Sequence, residues 1–511
     1  MFCVPNSSKH YSCINYLLIQ SRQTSKIHWA KLKKKTTPKY KALNHFDDFY
    51  GSVFGNKWEP MRHAMHQRSK YVAVINNYGD PEETMEYLAH RGAHCLKNLM
   101  TVQQEYHNEY SPSKTKEDVQ NSFNLDEYAE KLHSNEISSI YPKTNNLPEK
   151  LDYSDITGDN NDKKYQIKKE MNVSNKTLDQ SIAEAVIDES RIIDPSMGLT
   201  SEALYQFLPA TKLKGTDDWI PESLHYSFYS KAKDFPLTIE PETKLQYPEH
   251  LKVFTYEMDS EYTKFPEPKR CVTGVYNYYP MDGGSVLAVL ALDLKAGDRV
   301  LDLCSAPGGK ALVALQTLLP DIVICNDVSI SRCNRMQRTF KDYLCDFETS
   351  NRWRERVLVK RVDGRVYEDD IGFDKILVDV PCTTDRVSMN EDENNIFRPD
   401  RIKERLKIPE MQAQLLTNAL RLVKVGGTVV YSTCSLSPIQ NDGVVHSALK
   451  NAFETYSVVA NIKDLTMSMA GFSSTLQLGT GSAAPKYGQL VTPCIGANFG
   501  PSYISKLVRV R

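Results

Sequence analysis

The feature that most constrains the fold of this chain is a regular alternation of short apolar strands and helical segments from about residue 285 onward. Repeated strand–helix units imply a mostly parallel sheet with right-handed crossovers. The last two apolar runs, Gln489–Thr492 and Tyr503–Val510, alternate as antiparallel strands do. We therefore predict an α/β fold whose parallel sheet is closed by an antiparallel C-terminal hairpin. The parallel strands are predicted at Val300–Leu303, Ile322–Cys325, Val357–Lys360, Ile376–Val378 and Val429–Tyr431.

Three of these strands end in residue types that bind cofactors or act in catalysis. The first runs into a glycine turn at 302–310 (DLCSAPGGK), the fourth into 379–382 (DVPC) and the fifth into 432–435 (STCS). Carboxyl ends of parallel strands meet at one edge of a sheet, where open α/β sheets bind their ligands. The sequence therefore predicts one site that combines a cofactor loop with two thiols, Cys382 and Cys434.

The glycine turn has neither the GxGxxG spacing of dinucleotide binders nor the GxxxxGK spacing of P-loops. Its adjacent glycines still let backbone N–H groups approach a ligand at the start of a helix. Asp327 ends the second strand about 20 residues later, where a carboxylate can accept bonds from ribose hydroxyls. Asp363 follows the third strand, where it can bind an exocyclic amine. Each aspartate alone is also explained as a cap or turn residue, but together they favour a nucleoside cofactor.

The two thiols suit methyl transfer to a pyrimidine. A cysteine thiolate that adds to carbon 6 makes carbon 5 nucleophilic toward a sulfonium methyl donor. Asp379 is placed to protonate or hydrogen-bond the ring nitrogen and so stabilise the adduct. A second base must then remove the proton from carbon 5 so that the thiol can leave. Cys382 and Cys434 can divide this work between them.

On these residues the chain resembles the Nop/Sun family of RNA cytosine-5 methyltransferases. The segments 383–386 (TTDR), 393–397 (ENNIF) and 497–501 (ANFGP) are most similar to the family's mitochondrial ribosomal-RNA member. The resemblance implies a Rossmann-like class I methyltransferase fold with a small N-terminal extension. It also implies methylation of small-subunit ribosomal RNA and a role in mitoribosome assembly. In that family pattern Cys434 is the nucleophile and Cys382 assists its release.

The resemblance further implies S-adenosyl-L-methionine as the cofactor. A helical-repeat protein of the mTERF type is implied as a partner, together with mitochondrial ribosome assembly intermediates. Two alternatives stay open: the same chemistry on a mitochondrial tRNA, and a largely non-catalytic assembly scaffold. The residues implied to contact the cofactor are Cys304, Ser305, Ala306, Pro307, Gly308, Gly309, Lys310, Asp327, Arg332, Asp363, Gly364 and Asp379.

Basic residues cluster after Cys382, and three of them, Arg386, Lys403 and Arg405, are predicted to pair with RNA phosphates. An equally good interpretation is a solvated charged loop, because acidic residues lie among them. The formal net charge of −1 argues against a protein that coats nucleic acid. The 11 cysteines form no CxxC pair and no zinc-type cluster, so we expect a reducing compartment and no metal. No apolar stretch approaches the roughly 20 residues of a membrane span.

The chain divides by composition into five segments. The first 46 residues contain no Asp or Glu and are rich in Lys, Ser and Thr, which is typical of an organelle transit peptide and predicts the mitochondrial matrix. A basic arm that touches RNA is the alternative. The predicted segments are a transit peptide (1–45), an N-terminal helical segment (46–110), a polar and disordered insertion (111–200), an N-terminal extension (201–284) and the methyltransferase domain (285–511).

Overall fold

The computed structural model describes residues 37–110, 235–260, 264–480 and 484–511, without the side chains of 104–110. The helices in these ranges are α1 (Pro38–Phe54), α2 (Trp58–His66), α3 (Pro81–Ala89), α4 (Leu96–Tyr110), α5 (Gly283–Ala291), α6 (Gly309–Gln316), α7 (Ile330–Tyr343), α8 (Asn351–Arg356), α9 (Asp385–Asn390), α10 (Ile402–Leu406), α11 (Ile408–Leu422), α12 (Asp442–Tyr456) and α13 (Thr466–Met469). The strands are β1 (Val72–Ile75), β2 (His94–Cys95), β3 (Ile239–Pro241), β4 (Val253–Thr255), β5 (Tyr278–Met281), β6 (Arg299–Asp302), β7 (Ile322–Asn326), β8 (Val357–Lys360), β9 (Phe373–Asp379), β10 (Val423–Thr433), β11 (Ala460–Asp464), β12 (Gln489–Val491) and β13 (Ser502–Arg509).

The larger sheet has the order β3-β11-β13-β10-β9-β6-β7-β8, and β12 pairs with β13 outside this path. The five strands from β10 to β8 are parallel, whereas β13 is antiparallel to β10, β11 and β12. Helices α5, α6, α11 and α12 cover the sheet with apolar side chains, and the strands between them are almost wholly buried. The prediction of a mostly parallel Rossmann-like sheet closed by an antiparallel hairpin is confirmed.

A second, four-stranded sheet was not predicted. Its order is β2-β4-β1-β5, and every pair in it is antiparallel. The strands β1 and β2 lie in the predicted segment 46–110, whereas β4 and β5 lie in the segment 201–284. The description of 46–110 as helical is therefore wrong in part, and the two segments fold together. Strand β3 joins the larger sheet beside β11, so the boundary at 285 is also too sharp.

Helix α1 begins at Pro38, inside the range predicted as a transit peptide, and Ala42 on this helix is fully buried. Residues 38–45 of the predicted transit peptide are therefore part of the folded body, and the boundary at 45 stays a prediction. Residues 1–36 and 111–234 lie outside the described residues, so the predicted transit peptide and polar insertion stay predictions. None of the helices in the described part of the chain is long and apolar enough to cross a membrane.

The N-terminal helices α1 and α2 pack against α9, directly behind the predicted catalytic edge. Edge-on ring contacts join α1 to its surroundings: the Phe46 ring lies 5.1 Å from that of Phe397, which follows α9, and the Tyr50 ring lies 5.1 Å from that of Trp58 on α2. All four side chains are buried in the larger apolar core. The N-terminal helices are therefore part of the same folded body as the parallel sheet.

Candidate active site

The strand ends β6, β9 and β10 meet as the sequence predicts. Asp302 pairs in register with Leu377, and Asp379 pairs with Ser432, so the three motifs share one edge of the sheet. A cavity of about 300 Å³ opens at this edge. The residues that line it include Lys310, Arg332, Asp379, Cys382, Ser432 and Cys434.

The two predicted catalytic cysteines lie side by side in the wall of the cavity. Their Sγ atoms are 2.7 Å apart, and both are free thiols. The backbone N–H of Thr384 lies 3.4 Å from the sulfur of Cys382 and donates to it. The hydrogen bond to Cys382, burial and the charges of Asp379 and Asp385 raise the pKa of Cys434 well above its ordinary value. Either sulfur can be the donor in the contact between the two thiols.

Asp379 is fixed between two donors. Lys310 donates to one of its oxygens at 2.8 Å, and the Ser432 hydroxyl donates to the other at 2.8 Å. Burial alone would lower the pKa of Lys310, but the Asp379 carboxylate more than offsets this and raises it. Lys310 is therefore a protonated lysine that holds the carboxylate in place at the edge of the cavity.

The glycine turn precedes α6 as predicted. Gly308 has a φ of 97°, which a residue with a side chain rarely adopts. A Cβ on Gly308 would lie 3.0 Å from Met336 on α7, and one on Gly309 would lie 3.0 Å from the Tyr279 hydroxyl. The two glycines therefore also allow α7 and β5 to pack closely against the turn.

Several buried polar atoms around this turn have no hydrogen-bond partner among the residues that the structure describes. Both carboxylate oxygens of Asp302, the hydroxyl of Ser305 and one carboxylate oxygen of Asp327 lack a hydrogen bond. Burial, together with the charge of Asp379, raises the pKa of Asp302 to about 7. Unpaired buried acceptors are costly unless a ligand satisfies them. The set fits a cationic, hydroxyl-bearing nucleoside such as S-adenosylmethionine.

The other oxygen of Asp327 accepts the Ser329 N–H at 2.9 Å, and the free one lies 3.4 Å from the Arg332 guanidinium. Arg332 in turn donates to the Ala306 carbonyl at 2.8 Å, which ties α7 to the glycine turn. These two side chains stay predicted cofactor contacts, and their positions are consistent with that role.

The remaining predicted cofactor residues have evident packing roles. Asp363 caps the short turn at Gly364–Val366 and pairs with Arg365, which lowers the pKa of its carboxyl group. A Cβ on Gly364 would come within 2.8 Å of the Leu415 side chain. Burial raises the pKa of the Cys304 thiol, as expected for a small apolar residue. Their contacts with the cofactor stay predictions.

The RNA role predicted for Arg386 is wrong. Its guanidinium donates to the carbonyls of Ala64, Gln67 and Gly500 and to the Asn498 side chain, at 2.8 to 3.3 Å. These bonds fasten α2 to the loop before β13. The charge pattern of the sequence did not reveal this, because it does not show which basic side chains are enclosed by the fold.

The two other predicted phosphate ligands lie at the surface. The guanidinium of Arg405 covers the Phe397 ring at 4.4 Å, and Lys403 is exposed on α10. Their contact with RNA stays a prediction.

Sequence reasoning missed Asp385 and Tyr50. Asp385 is fully buried beneath both cysteine loops, and the Tyr50 hydroxyl donates to it at 2.6 Å. The only available signal was the segment 383–386 (TTDR), which follows Cys382 directly. An aspartate in a strand-to-helix loop is usually a cap, so its position gave no reason to single it out.

The fold and site together define a class I S-adenosylmethionine-dependent methyltransferase with a paired-thiol active site. A family model described as "16S rRNA methyltransferase RsmB/F" matches residues 289–484. The 5-cytosine rRNA methyltransferase nsun-4 of Caenorhabditis elegans is 32% identical over 512 residues, which is 96% of this chain and 98% of the relative. The 5-cytosine rRNA methyltransferase NSUN4 of Xenopus tropicalis is 43% identical over 48% of this chain and 60% of its own length.

A relative with a different printed substrate also matches. The mitochondrial tRNA (cytosine(34)-C(5))-methyltransferase of Danio rerio is 35% identical over 48% of this chain and 66% of its own length. The chain belongs to the Nop/Sun family of RNA cytosine-5 methyltransferases. It is therefore an enzyme that uses S-adenosylmethionine to methylate RNA, and the family, cofactor and reaction predicted from the sequence are confirmed.

Proposed function

We propose that this enzyme methylates carbon 5 of a cytosine in the small-subunit ribosomal RNA of mitochondria. The observation that carries the chemistry is the pair of thiols 2.7 Å apart beside the Lys310–Asp379 pair. Support for the substrate comes from the full-length similarity to a relative named as an rRNA methyltransferase. The relative named as a tRNA methyltransferase matches only about half of the chain, so it supports tRNA as the substrate less strongly.

In the mechanism we propose, Cys434 attacks carbon 6 of the cytosine as a thiolate. The ring then carries negative charge toward its nitrogen, and Asp379, held by Lys310 and Ser432, protonates or hydrogen-bonds that nitrogen and so stabilises the adduct. S-adenosylmethionine supplies the methyl group that carbon 5 accepts. The buried polar groups of Asp302, Ser305 and Asp327 would hold this cofactor.

Release of the product is the task of Cys382. Its thiolate takes the proton from carbon 5, and the bond between carbon 6 and Cys434 then breaks to regenerate the double bond. The short contact between the two sulfurs supports this division, since it places Cys382 beside the thiol that must leave. Both thiols lie at the same cavity, so the proton moves over a short distance.

The cellular setting is part of the proposal. The acid-free N-terminus favours import into the mitochondrial matrix. There the enzyme acts on mitochondrial ribosome assembly intermediates, with an mTERF-type helical-repeat protein as an additional source of RNA affinity.

Bisulfite sequencing of mitochondrial RNA tests the substrate. Cells that lack the protein are compared with cells that express either the wild type or Cys434→Ala. We expect one small-subunit rRNA cytosine to lose protection and to regain it only with the wild type. Loss at a tRNA position instead would support the tRNA alternative. Unchanged methylation together with an assembly defect rescued by Cys434→Ala would support the scaffold.

A further inference from the structure

One buried carboxylate connects the two catalytic loops. Thr383 directly follows Cys382 and donates to an Asp385 oxygen at 2.5 Å, and Ser435 directly follows Cys434 and donates to the same carboxylate at 3.1 Å. The backbone N–H of Leu436 adds a third bond at 2.7 Å. The chain neighbour of each catalytic cysteine is therefore bound to the same acceptor.

This carboxylate has the hydrogen-bonding pattern of an anion. Four donors converge on it, counting the Tyr50 hydroxyl at 2.6 Å, and only an ionised carboxylate accepts from all of them. Burial raises the pKa of Asp385, and the hydrogen bonds from Thr383, Tyr50, Leu436 and Ser435 oppose that rise. Asp385 is thus a fixed internal charge whose bonds leave little freedom to the loops around it.

The neighbouring glutamine supports the same arrangement. Gln440 accepts the Thr383 N–H at 3.1 Å, and its amide donates to the Thr383 hydroxyl at 3.0 Å. The N–H and the hydroxyl of Thr383 are therefore bound to Asp385 and Gln440, while the Thr383 carbonyl accepts from the Ser388 hydroxyl. The loop has one well-defined position relative to Ser435 and its cysteine.

Tyr50 brings the N-terminal region into this network. It lies on α1, 335 positions before Asp385, and is buried among rings. Its hydroxyl reaches the oxygen of Asp385 that also accepts the Leu436 N–H. Helix α1 is thereby bonded to the loop that follows Cys434.

We infer that Asp385 is a positioning residue that sets the separation of Cys382 and Cys434, and that Tyr50 holds Asp385 in place. This inference rests on the proposed two-thiol mechanism. Neither side chain touches the substrate, and both act through the cysteines. The Thr383 and Ser435 hydroxyls also lie 3.1 Å apart, and the Gln440 amide donates to both, so the two loops are coupled and their variants should differ in degree.

The first test compares Thr383→Val with Thr383→Ser. Valine removes the hydroxyl at nearly constant volume, whereas serine keeps it. We expect Thr383→Val to lower kcat by about tenfold, as the loss of one bond to a charged group implies, with KM for RNA unchanged. A covalent enzyme–RNA adduct should accumulate on a denaturing gel, because Cys382 no longer reaches carbon 5. Thr383→Ser should behave like the wild type. Equal effects of both variants would overturn the inference.

The second test loosens the other loop. In the Cys382→Ala background, which stalls release, Ser435→Ala should slow the formation of the adduct by about tenfold. Thr383→Val in the same background should slow adduct formation less than Ser435→Ala does, since Thr383 lies on the other loop and reaches the Cys434 loop through its 3.1 Å contact with Ser435. If both changes slow the adduct equally, the network is merely structural and the inference fails.

Tyr50→Phe tests the link to α1, with Tyr503→Phe as its matched control. Tyr503 is also buried and donates to a buried carboxylate, that of Asp442, at 2.6 Å, but Asp442 accepts from neither cysteine loop. Both variants should lose similar stability in thermal unfolding. Only Tyr50→Phe should lower kcat, by roughly threefold to tenfold. An equal fall in kcat for both would contradict the role of Tyr50.

A last measurement does not depend on methylation. Dibromobimane becomes fluorescent when two nearby thiols displace both of its bromides. The wild type should bridge Cys382 and Cys434 rapidly, Cys382→Ala should not, and Thr383→Val should bridge several-fold more slowly than Thr383→Ser. Equal bridging rates would overturn the inference even in an active enzyme. Normal bridging with an inactive wild type would instead count against the proposed function alone.

Discussion

The two halves of the sheet edge differ in how their polar groups are satisfied. On the cofactor half, buried polar atoms of Asp302, Ser305 and Asp327 have no hydrogen-bond partner in the described part of the chain. On the thiol half, both oxygens of Asp379 and of Asp385 are hydrogen-bonded by neighbouring residues. The polar groups of the cofactor half therefore need a ligand as their hydrogen-bond partner, whereas those of the thiol half are already hydrogen-bonded within the chain. The first should respond to the cofactor, and the second should be rigid without it.

The largest effects should come from the thiols. Cys434→Ala should abolish methyl transfer while leaving S-adenosylmethionine binding near normal, because the thiol attacks the base and belongs to the other half of the site. Methyl incorporation and calorimetry measure the two properties on the same preparation. Retained turnover would remove Cys434 as nucleophile, and a large loss of cofactor affinity would break the separation of the halves.

Cys382→Ala should stop turnover in a different way, by trapping the enzyme on RNA. Addition and methylation remain possible, but elimination stalls, so a thioether between Cys434 and a methylated cytosine appears as a slow band on a denaturing gel. The double variant with Cys434→Ala should lack this band. A band from Cys434→Ala alone would reverse the two roles.

A smaller effect should follow from the pKa of Asp302. Unfolded aspartate titrates near 3.9, whereas Asp302 titrates at about 7 in the fold, so the folded state binds the extra proton in this window. Stability of the cofactor-free enzyme should therefore fall as pH rises from about 4 to about 7, by at most about 4 kcal/mol. Asp302→Asn should remove this loss, as urea unfolding at several pH values would show. If the stability of the wild type and that of Asp302→Asn changed with pH in the same way, water would be the hydrogen-bond partner of the Asp302 carboxylate.

Asp327→Ala should weaken S-adenosylmethionine binding by about an order of magnitude, since lost hydroxyl contacts to a charged acceptor cost about 1.5–3 kcal/mol. Calorimetry measures the change, and Asp363→Ala offers a comparison, because Asp363 is already paired with Arg365. If Asp327→Ala left affinity unchanged, Asp327 would be only the turn residue that binds the Ser329 N–H.

The smallest effect is expected at the predicted RNA contacts. Lys403→Ala should raise KM for RNA less than threefold and should reduce the salt dependence of binding, as one exposed phosphate contact does. Arg386→Ala should instead lower the melting temperature, because four acceptors inside the protein lose their donor. Competition binding at two salt concentrations and thermal unfolding separate these outcomes.

The sequence was most informative where periodicity and strand ends coincide. The apolar runs before DVPC and STCS are long enough to identify β9 and β10, and parallel strands must bring their ends together. This alone places Cys382 beside Cys434. The four-stranded sheet escaped prediction because its strands have two to four residues and lie on both sides of a long intervening segment. Asp385 and Arg386 show the other limit: adjacent charged residues in one loop are both enclosed, and no local pattern reveals that.

The hydrogen bond between α1 and the thiol half has a consequence for how the enzyme folds during its synthesis. Tyr50 and Ser435 are hydrogen-bonded at 3.4 Å across 385 positions of the chain. At roughly 5–20 residues per second, the ribosome makes the second partner roughly 20–80 s after the first. During that interval the rings of α1 can pack against Trp58 of α2 but not against Phe397 or the thiol half, so part of the aromatic face stays exposed and is a target for chaperones. The active site is consequently among the last parts of the molecule to form during synthesis.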